Sequence, residues 1–123
     1  LCYYASAQFI APKGIMMVNS GIENRDFAAA RDEILRQLDE CREGHIGDDE
    51  MDAARKALAT NWGAMLDDPL TLERYWLGQA AAGTMVAPEE RIAQAGAVSR
   101  ERVVAAAQAT TLDMVYFMKG AAG

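Results

Sequence analysis

Few residues in this chain are of types and spacings that could do chemistry. Its single histidine lies in His45-Ile46-Gly47-Asp48-Asp49-Glu50, close to carboxylates but in a segment that reads as a loop leading into a helix. A zinc site of the His-x-x-Glu-His kind needs two imidazoles on one helix face, with the Glu as base. Ligand count therefore excludes that catalysis from this chain alone. Ser6, Ser20 and Ser99 are hydroxyl nucleophiles only if a base stands beside them, and His45 is the sole imidazole available. Ser99 is better explained as a helix cap. Cys2 and Cys41 have no CxxC spacing, and the expected state is reduced, buried and inert. The acidic group Asp48, Asp49, Glu50 and Asp52 lacks the Gly and terminal Glu of a calcium loop, so a solvated helix start accounts for it. Asp67 and Asp68 precede Pro69 and read as turn and cap residues, not as a glycosidase pair.

Tyr3 and Tyr4 remain as the candidate binding pair. Neighbours on a strand point to opposite faces, so at most one of them can enter a core while the other looks toward a second layer or a cavity. A neutral phenol both donates and accepts, which suits a peptide carbonyl or a developing oxyanion. Two packed aromatics is the plain alternative. The methionines Met16, Met17, Met51, Met65, Met114 and Met118 are expected in a core, although such side chains also line adaptable apolar grooves.

Composition narrows the classes of function. A formal charge of −6 opposes nucleic acid, whose affinity comes largely from Lys and Arg neutralising phosphates. No apolar run approaches the ~20 residues of a membrane span, and no basic-then-apolar leader opens the chain. A cytoplasmic location with no membrane partner is the default expectation. With 123 residues, 51% hydrophobic and 24% charged, the chain has the length of one ordinary domain. It starts at Leu1 inside an apparent strand, and we read it as a fragment spanning residues 1–123 of one domain.

Positioning these residues requires a β entry, an α middle and a β exit. The aromatic and apolar run from Leu1 to Phe9, a Pro12-Lys13-Gly14 break and the run Ile15–Ile22 predict a hairpin. Asn24 is the expected N-cap of a helix over 25–43, with Phe27, Ala30, Ile34, Leu38 and Cys41 at helical spacing and Gly44 closing it. A second helix follows Gly47 with its acids in the first turn, where the helix dipole favours negative charge. Asp68-Pro69 starts a third, Ala87-Pro88 a short fourth through Ile92, and Ser99 caps the last. Met114–Met118 reads as a short buried strand. The order β-β-α(4-5)-β defines an α+β fold, in which the helices are expected on one face of a mainly antiparallel sheet to which the last strand returns.

Leu1-Cys2-Tyr3, Ser20-Gly21-Ile22-Glu23, the stretch from Gly44 to Glu50, Asp67-Asp68-Pro69, Ala97-Val98-Ser99 and Leu112 through Gly120 together resemble the pitrilysin/insulin-degrading-enzyme-like peptidases. Their order matches the second half of the C-terminal-type, non-catalytic insulinase domain. The Leu-Cys-Tyr-Tyr-Ala-Ser opening and Tyr-Phe-x-Lys-Gly ending look most like a bacterial subgroup that often lacks the zinc motif and accompanies a zinc-bearing relative. The resemblance implies a two-layer half-domain forming one wall of a peptide-binding chamber. It implies that Tyr3 offers its phenol to the backbone of an extended substrate, beside an Arg that would fall before residue 1. No cofactor is expected in this chain; zinc would sit on another domain or on a zinc-bearing paralogous subunit. The implied partners are a peptide substrate and those other domains, and the exposed edges of a narrow sheet imply self-association of the fragment. A purely structural and assembly role, without proteolysis, is the rival reading.

Overall fold

The computed structural model describes residues 2–119. Leu1 and Gly120, the outer residues of the first and last matched motifs, lie outside the described residues.

The hairpin forms where the apolar runs and their break predict it. Strand β1 (Cys2–Ile10) pairs antiparallel with β2 (Ile15–Ile22) through a tight turn at Ala11–Lys13. Gly14 leaves that turn at φ 62°, a left-handed conformation that favours glycine. The register runs from Ile10 opposite Ile15 to Tyr4 opposite Gly21, then slips, so that Cys2 faces Ile22 and Tyr3 is an extra, unpaired residue. That slip is a β-bulge, which bends the strand and re-aims a side chain. Alternation therefore cannot assign Tyr3 and Tyr4 to opposite faces, and neither enters a core.

Among the described residues five helices follow: α1 (Phe27–Glu43), α2 (Asp48–Met65), α3 (Pro69–Ala81), α4 (Pro88–Gly96) and α5 (Arg100–Ala109). Asn24 caps none of them. Residues Asn24–Asp26 instead make a tight 3₁₀ turn in which Asp26 N–H donates to Glu23 C=O at 2.9 Å, a common way for a helix to begin. Elsewhere the cap signals act as read. Asp68 accepts from Leu70 N–H, Ser99 accepts from Arg102 N–H, and Gly47 N–H donates to the Glu50 carboxylate at 2.7 Å. At the end of α1, Gly44 takes φ 79° and His45 N–H returns to Glu40 C=O at 2.9 Å, the bond that closes a Schellman cap.

The helices pack on one another, α2 against α4 and α1 against α5. Arg42 joins the second pair: its Nε donates to Ala107 C=O at 3.2 Å and its Nη2 to Thr110 C=O at 2.5 Å, satisfying carbonyls at the end of α5. Among the described residues the buried apolar side chains are few, namely Ala30, Met51, Met65, Ala95 and Ala107.

Two expectations about the sheet are corrected. The helices do not cover one face of the hairpin, because Cys2 through Phe9 are exposed at every successive position, hence on both faces. A sheet of two strands is too narrow to hold a helical layer, and the helices bury their apolar stripes against each other instead. Residues 114–118 form no strand, since among the described residues the sheet consists of β1 and β2 alone and no backbone pairs with this run. They run as an irregular segment anchored by Phe117, whose ring stacks on Phe27 with centroids 4.2 Å apart. Core packing of the methionines holds for Met51 and Met65, whereas Met16, Met17, Met114 and Met118 are exposed. Cys2 is exposed and Cys41 half-buried, and both are free thiols. Among the described residues no helix is long and apolar enough to cross a membrane.

Candidate functional site

Tyr3 projects from the bulge and is 74% exposed. Its hydroxyl donates to the Glu23 carboxylate, which the hairpin register carries just past Ile22, the partner of Cys2. That hydrogen bond, then the charge of Glu23, holds the phenol above its ordinary value of 10.0, with slight desolvation and Asp26 acting in the same direction. The group stays protonated throughout the physiological range. Its proton is already committed, so toward a ligand the oxygen presents lone pairs and accepts.

Tyr4 is 60% exposed and lies across the ladder from Gly21. A Cβ at residue 21 would stand 2.4 Å from Tyr4 Cε1, so the ring occupies the space that only glycine leaves open. Ser20 Oγ donates to Tyr4 C=O at 3.0 Å, fixing the backbone at the same point. The two tyrosines, Ser20, Gly21 and Glu23 thus form one solvent-facing cluster at the bulged end of the hairpin. Sequence reasoning named the two tyrosines and did not name Glu23, which the structure places beside Tyr3. Its signal was available, because pairing Cys2 with Ile22 places residue 23 beside the start of β1.

The other candidates do not join this cluster. His45 is exposed in the α1–α2 loop, its Nδ1 3.3 Å from Glu43 Oε2. Ser99 is a helix cap, and Asp48 pairs with Arg100. Asp68 caps α3, and its hydrogen bonds from the Thr71 hydroxyl and from the Thr71 and Leu70 N–H groups hold its carboxyl below the usual range. A groove of about 750 Å³ runs between α1, α2, α4 and α5, and its lining includes Leu58 and Trp62 together with Arg55, Arg91 and Arg102. Cys41 and His45 both line it. No three of the described His, Cys, Asp and Glu side chains come together in a way that could hold a metal ion.

The fold is that of an α+β polypeptide whose hairpin carries an exposed cluster of aromatic and polar side chains. Among proteins of known sequence it is similar along its whole length to one named "Probable inactive metalloprotease YmfF" from Bacillus subtilis (strain 168), at 28% identity. The chain spans 29% of the length of that relative. A crystal structure of a conserved protein from Enterococcus faecalis V583 shares its fold with a TM-score of 0.74 and 28% identity over 88% of this chain, which matches 26% of that one. No family model matches the chain.

Proposed function

We propose that this polypeptide is the non-catalytic, peptide-binding portion of a pitrilysin-like metalloprotease homologue, with Tyr3 and Tyr4 facing the bound chain. The observation that carries this reading is the exposed tyrosine cluster on a bulged strand, in a chain whose whole length is similar to a protein named as a probable inactive metalloprotease. Zinc and the general base, where the larger protein is active, belong to another domain or to a zinc-bearing subunit. This chain's share is then to hold an extended peptide. Tyr3 accepts from a peptide N–H while its own hydroxyl proton stays in the hydrogen bond to the Glu23 carboxylate.

A second reading has a specific observation in its favour. Tyr3 is already bonded to Glu23 and the Tyr4 ring already fills the space over Gly21, as expected of residues that only shape the hairpin for assembly. The test is to titrate an unstructured, uncharged peptide into isotope-labelled protein and follow amide shifts. Peptide binding should perturb Tyr3 to Ser6 and Glu23 and should weaken at least several-fold in Tyr3→Phe. Silence across the hairpin, or shifts confined to the helical groove, would decide for the assembly role.

A further inference from the structure

The groove between α1, α2, α4 and α5 has the size of a small-molecule site, since its volume of about 750 Å³ falls within the roughly 300–1,000 Å³ usual for such sites. It also reaches into the chain's own core. Met51 and Ala95, two of the few buried apolar residues, are part of its lining, and Leu58 and Trp62 continue that lining along α2. A flat partner laid over the helices leaves such buried side chains out of contact, whereas a slender molecule entering the groove reaches them.

The charge of the groove is the reverse of the chain's. The guanidiniums of Arg55, Arg91 and Arg102 line it together with the carboxylates of Glu40 and Glu50, in a polypeptide of formal charge −6. Both carboxylates are already engaged: Glu40 pairs with Arg36, and Glu50 accepts from Gly47 N–H. Arg55 donates to Asp52 and to Val98 C=O, yet its Nε is buried without a hydrogen-bond partner, which is costly unless something meets it. Among the described residues Arg91 and Arg102 pair with no carboxylate, and Arg91 reaches Gln79 Oε1 only at 3.5 Å. Guanidiniums beside apolar surface are poised for an anion, because a charge-assisted hydrogen bond gains strength where water is excluded.

We infer that this groove binds a small organic carboxylate with an apolar body, of the alkyl carboxylate type, its body against Met51, Leu58 and Trp62 and its charge held by the arginines. A neutral apolar molecule leaves Arg91 and Arg102 without a partner, and a cation meets like charge. The inference stands apart from the peptide-binding reading, because no hairpin residue lines the groove.

Decanoate, kept below the concentration at which it forms micelles and titrated into the isotope-labelled 123-residue protein, tests it. Saturable shifts are expected at the Trp62 indole and at amides of α2, α4 and α5, and decanol, the uncharged counterpart, should bind several-fold more weakly. The double variant Arg91→Gln, Arg102→Gln should weaken decanoate about tenfold, the loss of one charged hydrogen bond, and leave decanol unchanged. Circular dichroism verifies that it keeps its helices. Should it lose them, Arg102→Gln alone is read in the same way, since Arg102 is exposed and its removal leaves the packing intact. Decanol binding as tightly as decanoate overturns the inference, as does decanoate binding unchanged in the arginine variants. So do shifts confined to the hairpin, or no saturable binding at all.

Discussion

Tyr3 and Glu23 form the most specific polar contact of the hairpin. Phenol and carboxylate are both solvent-facing, so the pair's value lies in fixing a proton and an orientation more than in stability. The phenol's folded value is raised above 10.0, so its contribution is complete below about pH 10 and is lost as pH rises through the folded value. Glu23→Gln should bring the Tyr3 titration back toward that of a free tyrosine. Ring-carbon NMR shifts followed against pH, with Tyr3→Phe to assign the signal, measure it. An unchanged Tyr3 midpoint in Glu23→Gln would mean that the carboxylate does not hold the proton. At this scale the sequence was readable for residue type and unreadable for geometry. Two adjacent tyrosines stand out as a candidate pair, but the bulge that aims Tyr3 follows from a one-residue slip against Gly21 that alternation alone does not record.

Helix positions were the most legible elements, because caps are local. Asp68, Ser99, Gly44 and Gly47 each mark a boundary through hydrogen bonds to residues two to five places away, and short range is what sequence reading resolves. The run at 114–118 failed for the opposite reason. A strand exists only if a distant backbone pairs with it, and here the side chains merely alternate: Met114, Tyr116 and Met118 are 75%, 80% and 79% exposed, while Val115 is 46% exposed and Phe117 rests on Phe27.

Two elements carry testable energetics. On α1, hydrogen bonds from Arg36 and then Gln37 lower the Glu33 carboxyl to about 2, so its contribution is present above about pH 4.5 and fades as pH falls toward 2. Glu33→Gln should lose part of the acid-induced loss of helicity between those values, read by circular dichroism against the wild type. At the α1–α5 contact, Arg42→Leu keeps the aliphatic stem but strips two carbonyls of their charged donor. Hydrogen bonds to charged groups contribute about 1.5–3 kcal/mol, and with the side chain about one-third exposed we expect a loss of about 1–2 kcal/mol in urea denaturation. No measurable change would reassign that contact to a solvated surface pair.

The whole molecule divides into an exposed hairpin and a helical assembly with a thin core, joined chiefly through the turn at Asn24–Asp26. Parts that share few buried contacts need not open together, since local stability follows local burial. Met65 is among the few large side chains buried in the helical part. Met65→Ala should cost about 2 kcal/mol, the low end for a buried methionine because a thin core relaxes into the space. Hydrogen exchange at a concentration too low for association then separates the two parts. Amides of α1, α2, α4 and α5 should exchange some tenfold or more faster in Met65→Ala, whereas those of β1 and β2, already fast in the wild type, should keep their rates. If the hairpin accelerates in step with the helices, the chain unfolds as a single unit, and the hairpin draws its stability from the helical core rather than from whatever pairs with its edges.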